Sequence, residues 1–599
     1  MAVPHFSILV SEQAKKYGTR NALFFKDKTT GEWRPVSWNM FEQNVLQTAR
    51  ALFSIGVMPT KKVGIYSQNM VECVYADFAN YALRAVSVPM FATASWTQVR
   101  YIVNDAAIET IFVGEQEQYD NVIKALPEMP VLKHIIVFDN AVVLQKDEMS
   151  IYFDRFLLQG NESADIKIEE IRRQASAADL AIIMYTSGTT GEPKGVMLNH
   201  APFLETLLLH DAALPTVGEA DRSLSFLPLS HIFERAWCYY CLYRGAQIYV
   251  NQRPQEIQTA IKEVRPTLMC SVPRFWEKVI TGIREQVDSY SPLMKGIVVW
   301  AIEIGKMYNL NYLRVEKKPP LWLKLHYKFV DRVIFSKVKK TLGIENATIF
   351  PVAGAALDNE ICTFLRSLGI PIVVGYGLTE TTATVSFFPQ TNYKIGTAGK
   401  VLQGLQVRIG DNNEIQVKGK TITQGYYNKP EATAAAFIDG WFRTGDAGAL
   451  DNDGNLTVTE RIKDLFKTTN GKYIAPQQIE MKLGTSKYVD QVAVIGDQRN
   501  YVTAIIVPVA GELLALAKQL NIPTGNIYEL LTHPAIVQFY QTLIDDLQSE
   551  MASYEKIKKF RLINPGFTME AGEITSTLKL RRAVILQHYR KLIEEMYNT

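Results

Sequence analysis

Short runs of β-branched, aromatic and aliphatic residues alternate with helix-period segments from residue 22 to about residue 250. This alternation constrains the fold more than any other feature of the chain. Runs such as Lys62-Val-Gly-Ile-Tyr66, Val86-Ser-Val-Pro-Met90 and Thr110-Ile-Phe-Val113 have strand length, and the helical patterns between them argue for α/β layers. A second βα series follows, with strands expected at 348–352 and 371–374. From 396 to 458 the texture shifts to short alternating strands with frequent Gly and Asn, which suggests a small β-barrel or sheet. Beyond Arg461, strands at 491–495 and 503–509, helices near 512–520 and 536–551 and a last helix after Leu580 suggest a separate α+β domain. With 599 residues, two to four structural units are expected. The reading is an α/β fold: a large N-terminal domain, 1–460, of two βα-layered subdomains plus a small β-barrel-like subdomain, then a smaller α+β C-terminal domain, 461–599.

Composition removes several function classes. Hydrophobic residues at 47% and charged residues at 21% describe a globular chain, and a net charge of +3 gives no basis for a nucleic-acid partner. Five scattered cysteines make no disulfide framework and favour a reducing compartment. Cys238 and Cys241 form a CxxC, but two tyrosines separate them and no second pair completes a zinc site, so a packed helix is the expectation. The N-terminus lacks a basic region followed by an apolar run, and the nearest approach to a spanning segment, 296–304, contains Glu303. A cytoplasmic protein is expected, with any membrane contact peripheral.

The most informative local stretch is Tyr185-Thr-Ser-Gly-Thr-Thr-Gly-Glu-Pro-Lys-Gly195. Apolar runs at 180–184 and 196–198 read as strands, so the glycines fall in a strand-to-strand loop. Gly188, Gly191 and Gly195 let backbone N–H groups converge on anionic oxygens. Thr186, Ser187, Thr189 and Thr190 add hydroxyls, and Lys194 adds a mobile charge. The spacing differs from that of the common nucleotide P-loop, Pro193 precedes the lysine, and no Ser or Thr follows it. Pro202 reads as the start of the helix after the loop.

Further segments follow in a fixed order: Gly354-Ala-Ala356, Gly375-Tyr-Gly-Leu-Thr-Glu380, Gly440-Trp-Phe-Arg-Thr-Gly-Asp446, Arg461-Ile-Lys463, Thr469-Asn-Gly-Lys472 and Thr577-Leu-Lys-Leu-Arg-Arg582. With the phosphate loop, they resemble the signatures of the adenylate-forming superfamily of acyl-CoA synthetases, adenylation domains and luciferases, over nearly the whole chain. The resemblance implies that Tyr376, between Gly375 and Gly377, stacks on adenine, that Thr379 meets the phosphate or the acyl carboxylate, and that Glu380 holds Mg²⁺. One carboxylate together with phosphate oxygens suits that ion. A helix cap is the bland reading of Thr379 and Glu380. The resemblance further implies that Gly354, Ala355 and Ala356 let adenine approach the backbone and that Asp446 accepts both ribose hydroxyls, as an acceptor-only carboxylate can. Arg461 would contact ribose or phosphate, Lys463 would absorb the rotation of a mobile C-terminal domain, and Gly471 and Lys472 would line a pantetheine tunnel. Lys579 aligns with the adenylation lysine; Lys556, Lys558 and Lys559 are its neighbouring alternatives. Most members carry Ser-Gly before that lysine, whereas Thr577-Leu578 stands here and looks like the long-chain branch.

Leu227-Pro-Leu-Ser-His-Ile-Phe-Glu-Arg235 and Val272-Pro-Arg-Phe-Trp-Glu-Lys278 are similar to forms in long-chain fatty acid–CoA ligases. They would place His231 beside the acyl pocket, against the plain reading of a hydrogen-bonded core histidine, and they make Trp276 a candidate gate, against ordinary core packing. The implied activity joins a fatty acid to coenzyme A with ATP and Mg²⁺ through an acyl-adenylate. Transfer to a carrier protein, a non-catalytic nucleotide or lipid sensor and a luciferase-like oxygenase are the alternatives. Residues 314–343 carry nine Lys or Arg against Glu316 and Asp331, interleaved with apolar side chains. They suggest a basic amphipathic segment for peripheral contact with an anionic membrane, in competition with a solvated helix that has one core-facing stripe.

Overall fold

The computed structural model of the chain describes residues 5–146, 148–186, 192–462, 464–469, 473–523, 526–549, 551–568, 571–574 and 580–598. A seven-stranded sheet runs in the order Ser150–Tyr152, His134–Val137, Thr110–Val113, Lys62–Tyr66, Val86–Met90, Leu180–Thr186, Lys194–Asn199. The first six strands are parallel and the last is antiparallel to its neighbour. Strands Val86–Met90 and Thr110–Val113 are buried at every residue, because helices cover both faces. Ile111, Val113, Ile135 and Val137 meet Val99, Val103, Tyr119 and Val122 from helices Trp96–Asp105 and Gln116–Ala125. The alternate residues Phe112 and Ile136 turn to the other face, shared with helices Trp38–Ser54 and Val71–Ala82.

A second sheet pairs Arg222–Ser225, Gln247–Val250, Asn21–Lys26 and Trp33–Ser37. Single parallel bridges, Ser223 to Leu268, Leu268 to Ile349 and Ser271 to Val352, connect it to the sheet Phe350–Val352, Ile372–Tyr376, Ser386–Phe387, Lys400–Val401. Helix Ile232–Arg244 is buried at every residue from 234 to 242, as expected of a helix covered on all sides. One core joins its Trp237 and Tyr240 to Ile182 and Met184 of the first sheet and to Leu23 and Ile248 of the second. Cys238 and Cys241 are free, buried packing residues of this helix. Trp276 is also core: it is fully buried, its indole N–H donates to Ser271 Oγ at 2.9 Å, and its ring packs against Phe275 and Phe350. Core packing therefore replaces the gate reading of this residue.

A small antiparallel sheet of Gln406–Ile409, Glu414–Lys418, Phe437–Ile438, Trp441–Leu450 and Leu456–Arg461 closes over Val385, Ile415, Val417 and Leu456. The chain then builds a three-stranded sheet, Val489–Ile495, Val502–Pro508, Ile557–Leu562. Its two faces again alternate: Val492, Val494 and Ile506 pack under Pro476–Gly484, Ala510–Gln519 and Pro534–Leu547, whereas Ala493, Ile495 and Ile505 pack under Arg582–His588 and Arg590–Tyr597. Arg274 donates to the Asp490 carbonyl at 2.8 Å, and Gln478 Nε2 donates to the Thr459 carbonyl at 3.2 Å, where this α+β part meets the preceding one. The basic stretch 314–343 is not one helix: helix Leu321–Val330 starts behind Pro319 and Pro320, then continues through a π turn, Asp331–Phe335, into helix Ser336–Leu342.

Candidate active site

Strands Phe350–Val352 and Ile372–Tyr376 are parallel neighbours, so the loops leaving their C-terminal ends lie side by side, the usual position of a ligand crevice in such sheets. Gly354, Ala355 and Ala356 are exposed in the first loop, with Gly354 left-handed at φ +92°. In the second, a Cβ on Gly377 would fall 1.6 Å from the Ala383 carbonyl oxygen, so no other residue fits there. The turn that presses Ala383 onto Gly377 contains Thr382 and Ala383 at φ 50° and 78°, an arrangement costly for non-glycine residues. Thr382 Oγ1 secures it by donating to the Thr421 carbonyl at 2.6 Å. Thr379 and Glu380 sit in the one-turn helix at its start.

Strands Leu180–Thr186 and Lys194–Asn199 pair antiparallel, with Thr186 opposite Lys194, so the phosphate loop joins two strands as expected. Ser187, Gly188, Thr189, Thr190 and Gly191 lie outside the described residues. Segment 423–427 pairs antiparallel with the second strand: Met197 N donates to the Gly425 carbonyl at 3.0 Å and Tyr427 N to the Gly195 carbonyl at 2.8 Å. Thr423 N also donates to the Glu380 carbonyl at 2.8 Å, which ties the loop strand to the Glu380 turn. Tyr426 completes the connection. Its ring lies 5.0 Å from Lys194 Nζ, and its hydroxyl donates to Glu380 Oε1 at 3.0 Å. Sequence reasoning missed this residue; the only signal was an aromatic pair, Tyr426-Tyr427, directly after Gly425. Burial raises the Glu380 carboxyl above its ordinary range, opposed by the Tyr426 hydroxyl and the positive charge of Arg461. A divalent cation beside such a carboxylate would offset the cost of keeping it charged away from water, so the site fits Mg²⁺. Among the described residues no group of three or more His, Cys, Asp or Glu could hold a metal ion.

Tyr376, at the end of its strand, donates its hydroxyl to Asp446 Oδ2 at 2.6 Å. Asp446 lies in strand Trp441–Leu450 directly across from Arg461, whose Nε is 3.2 Å from Asp446 Oδ1. The carboxylate is buried, with a side chain 6% exposed, and the ion pair orients both partners. The resemblance thus named three residues that the structure brings into one polar corner.

An apolar cleft open to solvent is lined by Tyr376, Val352, Phe233, Ala236, Trp237 and His210, among others. His231 caps the N-terminus of the helix that carries Phe233, Ala236 and Trp237, accepting the Phe233 N–H on Nδ1 at 3.2 Å. It stands before the cleft-lining turns and is not itself among the lining residues. Arg235, in the same motif, fixes the approach: its Nε donates to the Leu229 carbonyl at 2.7 Å, and its guanidinium pairs with buried Asp77. His210 is buried with Nε2 3.0 Å from Thr384 Oγ1, and desolvation lowers it to about 4, so the cleft wall carries a neutral imidazole.

Lys463, Gly471, Lys472 and Lys579 lie outside the described residues. The described flanks of the last are fixed: Ile574 bridges Leu580, Arg581 N donates to the Glu573 carbonyl at 2.7 Å, and Arg582 pairs with Glu480 at 2.5 Å. At the junction, Glu460 is buried, accepts the Gln477 N–H at 3.2 Å, and is raised to about 8 by desolvation and by Glu480 and Asp464, with Arg582 opposing.

The signature of the family described as AMP-binding enzyme matches residues 10–427, and that of the AMP-binding enzyme C-terminal domain matches residues 463–599. The long-chain-fatty-acid–CoA ligase FadD15 of Mycobacterium bovis is 30% identical over 574 residues, 95% of this chain and 93% of that protein. The long-chain-fatty-acid–CoA ligase ACSBG2 of Rattus norvegicus is 27% identical over 637 residues, 100% of this chain and 93% of that protein. Among solved structures, the anthranilate CoA ligase AuaEII in complex with anthranoyl-AMP matches at a TM-score of 0.72 and 18% identity, covering 99% of both chains. O-succinylbenzoate coenzyme A synthetase from Bacillus subtilis, in complex with ATP and magnesium ion, matches at 0.65 and 20% identity, covering 96% of this chain and 98% of that one. At these identities the two likenesses establish the fold.

Proposed function

The chain belongs to the AMP-binding enzyme family and is an AMP-forming acid–thiol ligase, and from that premise we propose that its acid is a long-chain fatty acid and its thiol coenzyme A. The observation that carries the choice of acid is the apolar cleft lined by Tyr376, whose hydroxyl meets the polar corner of Asp446 and Arg461. Relatives named as long-chain-fatty-acid–CoA ligases, matched over nearly their whole length, support the same choice.

In this reading the loop from Thr186 to Lys194 grips the β- and γ-phosphates of ATP, Asp446 accepts the ribose hydroxyls, and adenine lies between Tyr376 and the Gly354–Ala356 turn. Glu380 would hold Mg²⁺, which neutralises phosphate charge when bound. A carboxylate oxygen of the acid attacks the α-phosphorus, the bond to the bridging oxygen of the β-phosphate breaks, and pyrophosphate leaves. Thr379 and Lys579 stabilise the charge that shifts during this step, an electrostatic contribution from fixed donors. The C-terminal domain then turns about Lys463, and the pantetheine arm enters past Gly471 and Lys472. The thiolate of coenzyme A attacks the acyl carbon, and AMP departs with the bonding electron pair. His231 orients the start of the acyl-cleft helix rather than moving a proton.

Fatty-acid-dependent exchange of pyrophosphate into ATP, measured across chain lengths, tests the first step, and absence of exchange with every carboxylate tried would overturn the proposal. Coenzyme A and a phosphopantetheinyl carrier protein, offered side by side, test the acceptor. Lys579→Ala should abolish exchange while sparing thioester formation from supplied acyl-adenylate. Loss of both half-reactions in a folded variant refutes that division of labour.

A further inference from the structure

Helix Leu321–Val330 has two apolar faces. Leu323 and Val330 are buried in the core, with Tyr327 half-buried between them. Trp322, Leu325 and Phe329, spaced as one helical stripe, point elsewhere and are 52%, 67% and 59% exposed, and Leu321 at the helix start is 79% exposed. A second outward stripe is unusual on a helix that already has a core face. Helix Pro292–Lys306 adds to it. Its last turns bury Ala301 and Ile304, while Leu293, Met294, Ile297 and Trp300 remain exposed toward its N-terminal end.

The two sets form one surface. His326 lies between them, its ring 6.2 Å from that of Trp300 and 5.8 Å from that of Trp322. Exposed apolar side chains scattered singly need no explanation, but a contiguous aromatic and aliphatic patch marks an interaction site. Its border is basic. Lys324 and Lys328 on the same helix and Arg332 in the π turn that follows it are exposed, and none of the ion pairs among the described residues includes them. Residues 314–343 carry a surplus of seven positive charges, against +3 for the whole chain.

We propose that the outward faces of helices Pro292–Lys306 and Leu321–Val330 dock this protein in the interfacial layer of an anionic lipid bilayer. Tryptophans and aliphatic side chains enter the headgroup boundary, and the lysines and arginine beside them meet anionic headgroups. The charge pattern selects this occupant over a second copy of the chain. A symmetric dimer through the same patch would bring two basic borders together without acidic partners. No helix of the described residues is long and apolar enough to cross a membrane, so the contact is with one leaflet. The proposal does not depend on which acid the active site activates.

The full chain is sedimented with vesicles of phosphatidylcholine alone or mixed with phosphatidylglycerol, at low and high salt, while tryptophan emission is recorded. Binding to the mixed vesicles, weakened by salt and accompanied by a blue shift, is expected. Trp322→Ser, Leu325→Ser and Phe329→Ser together should abolish binding and the blue shift. Lys324→Gln, Lys328→Gln and Arg332→Gln together should weaken binding on the order of a hundredfold, from about 1 kcal/mol per basic group at an anionic surface. Both variants change only exposed side chains and should keep ATP–pyrophosphate exchange with a soluble acid, which distinguishes loss of docking from loss of fold. Absence of binding to mixed vesicles at low salt overturns the proposal. So does equal binding by either variant, or a dimer in sedimentation equilibrium that the serine variant dissociates.

Discussion

Replacing Asp446 with Asn tests the centre of the nucleotide site. The carboxylate is buried, receives the Tyr376 hydroxyl at 2.6 Å and faces Arg461 Nε at 3.2 Å. Asn keeps one acceptor oxygen, so one ribose hydroxyl can still be bound, but it loses the negative charge and offers an NH₂ group where the second hydroxyl needs an acceptor. One hydrogen bond to a charged group contributes about 1.5–3 kcal/mol, and the weakened hold of Arg461 falls within the same loss. A total of about 2–3 kcal/mol lowers kcat/KM for ATP by about 30- to 150-fold. The assay is fatty-acid-dependent ATP–pyrophosphate exchange with ATP and with 2′-deoxy-ATP. The unmodified enzyme should prefer ATP, and Asp446→Asn should lose activity on ATP and most of that preference together. Tyr376→Phe should produce a smaller loss, and the double variant should fall short of additivity by about 1 kcal/mol, as direct contacts do. A variant that is slower on both nucleotides but keeps the original preference for ATP refutes the placement of ribose on Asp446.

Glu460 is buried with its carboxyl raised to about 8, so the folded chain retains a proton there that the unfolded chain has released. Stability should fall as pH rises from about 4.5 to about 8, by up to about 1.4 kcal/mol per unit, and Glu460→Gln should flatten that part of the profile of thermal midpoint against pH. Ala236 is buried and lines the cleft, so Ala236→Phe should shift preference toward shorter acids by about tenfold or more, read as the ratio of kcat/KM for long and medium chains. Trp276→Ala should destabilise the fold by about 3–5 kcal/mol in chemical denaturation without altering the chain-length profile; an altered profile in folded enzyme would restore the gate reading.

The strands of the first sheet were legible because each is a short, nearly continuous apolar run between helical patterns. Lys62–Tyr66, Val86–Met90 and Thr110–Val113 begin and end where the residues suggested, and the strand expected at 180–184 runs two residues further, to Thr186. Partners were less legible than elements. Burial pattern tells which side of a strand faces a core, but not which distant strand lies beside it. The bridges through Leu268 and Ser271 that connect two sheets leave no periodic trace, and neither does the pairing of 423–427 with Lys194–Asn199. Tyr426 was missed for that reason: its role arises from backbone pairing between segments more than two hundred residues apart. The charge of 314–343 was plain in the sequence, but its second apolar face was not. Whether Trp322 or Leu323 meets the core depends on helices packed from elsewhere.

The site residues recognised by motif stand on separate chain segments, and main-chain bonds hold those segments together. Thr423 N on the Glu380 carbonyl, Tyr427 N on the Gly195 carbonyl and the cross-strand register of Asp446 with Arg461 align the loop strand, the Glu380 turn and the ribose corner before any ligand arrives. Donors fixed in this way lose little freedom when charge develops beside them, which is what electrostatic stabilisation of a transferring adenylyl group requires. The flanks of Lys579 are anchored differently, to Glu573 and to Glu480 within the α+β part. In the proposed mechanism this separation has a consequence. The nucleotide frame can stay assembled while the lysine is withdrawn, so the acyl-adenylate stays in place as the thiol path replaces the adenylation pose.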